Sequence, residues 1–199
     1  MLASRAQPMP RAPRPSLAAP SQGNAPVLAL ASALVIALVG APGCAGGLQG
    51  DVYQGQGFAF HIAPLPGGWQ RLDVSHAALA FRDQADGGTV IINGRCGVDG
   101  EDVPLASLTQ HLFIRFTDRE ILAQQTFPFD RREAMRTVLA ARLDGVPMKF
   151  DVWVLKKDGC VYDLGYIAAP ARFERGAAAF ERFARGFATV STGPAHADR

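Results

Sequence analysis

Two Asp-Gly pairs, each lying between runs of alternating apolar residues, constrain the fold of this chain more than any other feature. They are Asp144-Gly145 and Asp158-Gly159. An Asp-Gly pair in this setting is a strong signal for a two-residue hairpin, because both central residues of the favoured turn need a positive φ. The sequence therefore predicts three consecutive antiparallel strands, over residues 135–143, 146–154 and 160–166.

Period-two patterning also predicts strands before these hairpins. Phe58, Phe60 and Ile62 alternate with Ala59 and His61, which places His61 on the outer face of the first strand. Further strands are predicted over residues 79–82, 89–93 and 119–127, the last as an edge strand. Trp69, after a proline turn, is expected to pack over the sheet.

Two segments change to helical spacing. Leu105, Leu108, Leu112 and Phe116 form one apolar stripe, which predicts a helix of about 12 residues. The second stripe predicts a closing helix in which Glu181 and Arg185 pair on the wet face. Its members are Phe173, Ala177, Phe180, Phe183, Ala184 and Phe187. The predicted fold class is α+β, an antiparallel β-sheet meander with two main helices packed on it.

The N-terminal segment of the chain has the pattern of an export signal. Residues 1–26 hold three arginines and no acid, and an apolar run of about 13 residues follows, which suits a signal-peptide core better than a membrane span of about 20 residues. We predict a signal peptide over residues 1–43, with an uncleaved anchor as the alternative. Met9 is a second candidate for the start, after Met1.

Cys44 directly follows this signal and is the predicted lipidation site. Ala41-Pro42-Gly43-Cys44 resembles a bacterial lipobox, although Leu or Val is usual where Ala41 stands and Pro42 is unusual in the next place. The alternative is ordinary cleavage near Ala45. The resemblance implies a lipid anchor in a bacterial membrane, with the protein on the periplasmic face, and Ala45 favours the outer membrane.

The remaining segments complete the domain organisation. Gly-rich residues 44–52 predict an anchor and flexible tether, residues 53–190 one folded domain, and residues 191–199 a disordered tail. All 18 acids and 17 of the 20 basic residues follow Cys44, so the mature part has a formal net charge of −1. A nucleic-acid footprint would need a basic stripe, so no nucleic-acid partner is expected.

Cys96 and Cys160 remain once Cys44 is assigned to the anchor. Exported proteins meet oxidising conditions, and neither Cys-x-x-Cys nor a zinc spacing is present, so we predict a structural disulfide between them. Two free buried thiols are the alternative.

No catalytic constellation is evident in the sequence. The histidines His61, His76, His111 and His196 show no metal-ligand spacing, and Ser75, Ser107 and Ser191 lie in no hydrolase turn. The acids of Asp99-Gly100-Glu101-Asp102 fit a helix N-terminus better than calcium binding. Residues 130–133 are predicted to form a solvated turn, with a partner surface as the alternative. No enzyme activity, metal or cofactor is predicted.

The layout resembles the PsbP-like family. The resemblance rests on Gly57-Phe58-Ala59-Phe60-His61-Ile62 followed by Pro66 and Trp69, and on Phe180-Glu181-Arg182-Phe183 with Gly186-Phe187 in the closing helix. It covers roughly residues 53–190 and implies an α/β/α sandwich. Photosynthetic members are extrinsic subunits of photosystem II, but no metal-binding or partner-binding motif of the family matches residues here, and a fold does not carry a function across.

Two hypotheses for function follow from these observations. The first is a non-catalytic, membrane-tethered lipoprotein that binds a protein partner or assists assembly. It predicts an exposed apolar or charged patch on one sheet face. The alternative is a periplasmic carrier of a small apolar ligand or lipid, which predicts an enclosed apolar cavity between sheet and helices.

Overall fold

The computed structural model describes residues 46–97 and 103–191. The signal peptide, Cys44, the acids of residues 99–102, His196 and most of the predicted tail lie outside the described residues. The strands are β1 (Gly47–Gln49), β2 (Val52–Gln54), β3 (Ala59–His61), β4 (Trp69–Leu72), β5 (Leu79–Asp83), β6 (Thr89–Cys96), β7 (Thr117–Phe129), β8 (Arg132–Leu143), β9 (Val146–Lys157), β10 (Cys160–Ala168) and β11 (Ala188–Val190). The helices are α1 (Leu105–Leu112) and α2 (Phe173–Arg185).

The strands form two antiparallel sheets, which corrects the prediction of a single meander. The larger sheet has the order β4-β5-β6-β10-β9-β8-β7, and the smaller has the order β1-β2-β3-β11. The predicted hairpins β7 to β10 are all present in the larger sheet. β3 lies in the smaller sheet, and Pro64 and Pro66 separate it from β4, since proline cannot donate to a sheet ladder. β3 pairs instead with β11 from the other end of the domain.

The turns of the three long hairpins have left-handed conformations at both central residues. Asp144 and Gly145 have φ of 50° and 80°, as the Asp-Gly signal requires. The β7–β8 turn has the same character, with φ of 45° at Asp130 and 62° at Arg131. Because Arg131 stands where a glycine is usual, the sequence gives no turn signal there.

The segment predicted to be a tether contains structure. Residues 47–49 form β1, which pairs in register with β2, so that Leu48 lies opposite Tyr53. Leu48 packs against the same core cluster as Tyr53, which is 8% exposed. The apolar Leu48, set among glycines, therefore extends the domain toward Cys44.

The central strands of the larger sheet are buried on both faces, whereas most of β7 is exposed. One face packs against α2 and the smaller sheet in a cluster that includes Phe60, Trp153, Tyr166 and Phe180. The opposite face packs against α1 through Leu108, Leu139 and Phe150. We refer to these as the α2 face and the α1 face.

Helix α1 is shorter than predicted. It ends at Leu112, and the amide of Phe113 donates to the Gln110 carbonyl in a tighter turn. Phe116 nevertheless packs on Phe150, with ring centroids 4.6 Å apart, so the predicted apolar stripe still contacts the sheet. Over residues 46–97 and 103–191, no helix combines the length and the apolar character that a membrane crossing needs.

Candidate functional site

The histidines that the sequence offered as candidates do not come together. His61 lies on the outer face of β3, as predicted, with Nδ1 3.3 Å from Asp51. His76 lies in the β4–β5 connection and His111 in α1, both exposed. Within the two described ranges, no group of three or more His, Cys, Asp or Glu side chains is placed to hold a metal ion.

Cys96 and Cys160 form a disulfide, as the sequence predicts. They occupy directly opposed positions on β6 and β10, with Cα atoms 4.0 Å apart. Antiparallel pairing brings opposed Cβ atoms within reach of a bridge, so the register of the two strands brings the cysteines together. The alternative of two free thiols is excluded in this structure.

Asp130 is not in a solvated turn, which corrects the prediction for residues 130–133. Its side chain is 7% exposed, and its Oδ2 accepts hydrogen bonds from Lys157 Nζ at 2.8 Å, Thr189 N at 2.9 Å and Thr189 Oγ1 at 2.8 Å. Burial alone would raise the pKa of Asp130, but these hydrogen bonds outweigh it and lower the pKa below its ordinary 3.8. This residue therefore ties the β7–β8 turn to β11.

A second buried carboxylate lies on the α2 face of β9. Asp151 is 1% exposed and accepts two hydrogen bonds from Arg136, at 3.0 and 2.6 Å, and one from Trp153 Nε1 at 3.0 Å. Burial raises the pKa of Asp151, whereas the hydrogen bond to Asp151 raises the pKa of Arg136. The bidentate geometry favours the ion pair, since a buried carboxylate with three donors is well solvated by the protein. In both clusters the buried carboxylate, Asp130 or Asp151, is therefore paired with a basic side chain of the same cluster.

The large aromatic residues of β9 and β10 are core residues. Trp153, Tyr162 and Tyr166 are at most 2% exposed. Burial raises the pKa of Tyr162 and of Tyr166 to about 12, and the Tyr166 hydroxyl donates to the Phe173 carbonyl at 3.2 Å. These hydroxyls hold structural positions under α2 and the smaller sheet.

Exposed apolar side chains lie on β7, the edge strand of the larger sheet, and in the segment between α1 and β7. Ile114, Ile121 and Leu122 are 64%, 54% and 47% exposed, and we call these three residues the β7 surface. Arg119 Nη1 donates to the Phe113 carbonyl at 3.4 Å, which holds the end of α1 beside β7. Large apolar side chains that face solvent are candidates for an interaction site. The sequence predicted the edge strand but not this surface.

Two open clefts lie elsewhere on the domain. The first, of about 640 Å³, lies beside the disulfide between β6 and the loops of the smaller sheet, and its lining includes Phe58, His76, Asn93 and Arg95. The second, of about 440 Å³, lies at the end of the larger sheet where β8 and β10 finish and β6 and β9 begin. We call the second one the sheet-end cleft.

No protein-family model matches the sequence. A search of curated proteins also gives no match.

Solved structures do resemble the fold. The solution structure of cyanobacterial PsbP (CyanoP) from Synechocystis sp. PCC 6803 matches with a TM-score of 0.51 and 17% identity, over 70% of this chain and 91% of that one. LpqN of Mycobacterium tuberculosis, described as involved in cell envelope biogenesis, matches with a TM-score of 0.50 and 15% identity, over 66% of this chain and 84% of that one. At these identities the likeness concerns the fold alone. The domain therefore has a PsbP-like α+β fold, as the resemblance in the sequence implies.

Proposed function

We propose that this chain is an exported lipoprotein, anchored through Cys44, whose PsbP-like domain binds a protein partner without catalysing a reaction. The observation that carries the proposal is the β7 surface, where three large apolar side chains of an edge strand and the adjoining helix end face solvent. The first hypothesis from the sequence called for an exposed apolar or charged patch on one sheet face, without naming its residues. The similarity in fold to LpqN, a protein of cell envelope biogenesis, supports an extracytoplasmic role.

The short segment between Cys44 and β1 limits how far the domain could lie from the membrane. β1 begins at Gly47, three residues after Cys44, and an extended chain spans about 3.5 Å per residue. A lipidated Cys44 would therefore hold the smaller sheet within roughly 10 Å of the membrane surface. We propose that the partner is a protein at the same membrane, because so short a tether would keep the domain close to that membrane.

The anchor is tested by the intact mass of the full chain expressed in a bacterial host and recovered from membranes. We expect a diacylglyceryl-modified chain that begins at Cys44, and loss of membrane retention in Cys44→Ala. An unmodified soluble chain cut near Ala45 would refute the lipoprotein assignment but leave partner binding open.

Partner binding is tested separately, by placing a photo-crosslinking amino acid at position 121 in the full chain. Val146, which is 56% exposed against 54% for Ile121, provides the matched control position on the same sheet. We expect a discrete adduct at 121, absent at 146 and lost in Leu122→Glu. Equal labelling at both positions, or an adduct that survives Leu122→Glu, would contradict a role for the β7 surface.

A carrier of apolar ligands is the second candidate function. A carrier must enclose its apolar ligand during transfer through water, whereas the two clefts described above open to solvent and would leave a bound ligand partly exposed. These two clefts therefore do not support transport of a ligand between membranes, although an open cleft can still bind one.

A further inference from the structure

The sheet-end cleft has an apolar floor on the α1 face. Leu143, Met148 and Ile167 line it and are partly buried against the cluster beneath α1. These side chains come from three neighbouring strands, β8, β9 and β10, so together they form one continuous apolar strip. The strip is accessible at this end of the sheet, where it lines the cleft.

Two arginines border the same cleft. Arg82 lies at the end of β5, and Arg172 immediately precedes α2. Both are exposed, and within residues 46–97 and 103–191 neither has an ion-pair partner. Arg82 Nη2 lies 3.4 Å from the position that a Cβ on Gly87 would occupy, so the guanidinium lies over the β5–β6 turn at the cleft.

One carboxylate among the described lining residues could oppose an anion. This is Asp86, whose Oδ1 accepts from Arg175 Nη1 at 2.8 Å. Its charge is therefore offset by a third arginine on the first turn of α2, and the rim of the cleft carries a positive excess.

We propose that the sheet-end cleft binds a single-chain anionic amphiphile of the fatty-carboxylate class, with the carboxylate at Arg82 and Arg172 and the alkyl chain along Leu143, Met148 and Ile167. Arginine presents donors in a planar fork that matches a carboxylate, and an apolar strip beside it favours an attached chain. The volume of about 440 Å³ lies low in the range of about 300–1,000 Å³ typical of small-molecule sites, which suits one chain rather than two. This site is separate from the β7 surface.

The positions of the methionines permit a site-specific test. Met135 and Met148 are the two methionines after Cys44, and Met135 lines a different cleft, near the start of α1. The full chain is labelled with ¹³C-methyl methionine, held in zwitterionic nanodiscs and titrated with sodium decanoate, with empty nanodiscs as the blank. We expect the Met148 methyl signal, assigned with Met148→Leu, to shift saturably while the Met135 signal stays in place.

Substitution of Arg82 and Arg172 tests whether they bind the carboxylate of the ligand. We expect the dissociation constant for decanoate to rise about tenfold in Arg82→Gln/Arg172→Gln and to stay unchanged in Arg71→Gln, an exposed control on β4. An unmoved Met135 signal verifies that each variant is folded.

Two further ligands test the contributions of the carboxylate and of the alkyl chain separately. We expect decan-1-ol and sodium butyrate each to bind at least tenfold more weakly than decanoate. Equal binding of decanol, equal binding of butyrate, or decanoate affinity that does not change in the double variant would overturn the proposal. Failure of these experiments would not affect the crosslinking result at position 121, so the two proposals fail independently.

Discussion

The ion pair between Asp130 and Lys157 lies where the β7–β8 turn meets β11, and it permits a substitution that removes charge while preserving shape. Asp130 has a φ of 45°, a conformation that asparagine adopts more readily than most residues. All three donors converge on one oxygen, Oδ2, so the carbonyl of an asparagine at this position can keep the same hydrogen bonds. Asp130→Asn therefore removes the negative charge and little else.

The expected cost follows from the burial of Lys157, whose side chain is 8% exposed. Breaking a buried ion pair by removing one partner costs about 3–5 kcal/mol, because the other charge is left without compensation. Lys157 keeps the backbone carbonyl of Asp130 as an acceptor at 3.0 Å, which favours the lower end of that range. A loss of about 3 kcal/mol corresponds to a decrease in Tm of roughly 6–12 °C for a domain of this size.

Urea unfolding of the full chain at pH 7, followed by circular dichroism, measures this loss. The companion variant Asp130→Asn/Lys157→Met removes both charges, and we expect it to recover most of the lost stability. Asp130→Asn costing less than about 1 kcal/mol, or a double variant no more stable than the single one, would refute the reasoning.

The pH dependence provides a second check. Because the pKa of Asp130 is lower in the folded state than its ordinary 3.8, the stabilisation is complete above about pH 3.8 and is lost as the pH falls through the folded-state pKa. The difference in unfolding free energy between the original chain and Asp130→Asn should therefore be constant from pH 7 to about 4 and shrink below. A constant difference down to pH 2 would contradict this assignment.

Two further changes test other parts of the fold. Cys96→Ala/Cys160→Ala opens a loop with a sequence separation of 64, and we expect it to lower the unfolding free energy by up to about 4 kcal/mol. Reduction of the original chain by a thiol provides the comparison. An unchanged unfolding free energy in both cases would contradict a stabilising bridge. Gly176→Ala should destabilise the chain by about 1–3 kcal/mol despite the better helix propensity of alanine, because the new Cβ would clash with the Tyr166 hydroxyl. Gly165→Ala is the control, since the added Cβ meets only Val152 at 3.9 Å. A Gly176→Ala variant more stable than the original chain would show that Tyr166 moves away freely.

Local patterns were sufficient to predict the hairpins, because turn chemistry and period two act over a few residues. Asp144-Gly145 and Asp158-Gly159 predicted three strands correctly, and the i, i+4 pair of Glu181 with Arg185 is present at 2.7 Å. The cross-strand disulfide also follows once β6 and β10 are neighbours. The cysteine count and the export signal predicted the bridge, but the strand patterns did not predict that β6 pairs with β10, since 64 residues separate the two cysteines.

The errors arise where distant segments meet. β3 pairs with β11, whose three residues carry no strand signal that distinguishes them from the end of the closing helix. Asp130 looked like a solvated turn residue because neither Lys157 nor Thr189 is near it in sequence. Arg82 and Arg172 are likewise ordinary surface residues until the fold places them at one cleft.

Helix α1 is too short to cover the full width of the larger sheet. A helix of eight residues is about 12 Å long, whereas seven strands spaced about 4.8 Å apart make a sheet roughly 29 Å wide. On the α2 face, a thirteen-residue helix and a second sheet share the task of covering this width. On the α1 face, α1 packs over the cluster that includes Leu139 and Phe150, while Leu143, Met148 and Ile167 also line the sheet-end cleft. Because Ile121 and Arg82 are both exposed, substitutions at either position should alter binding while leaving the unfolding free energy within about 0.5 kcal/mol of the original.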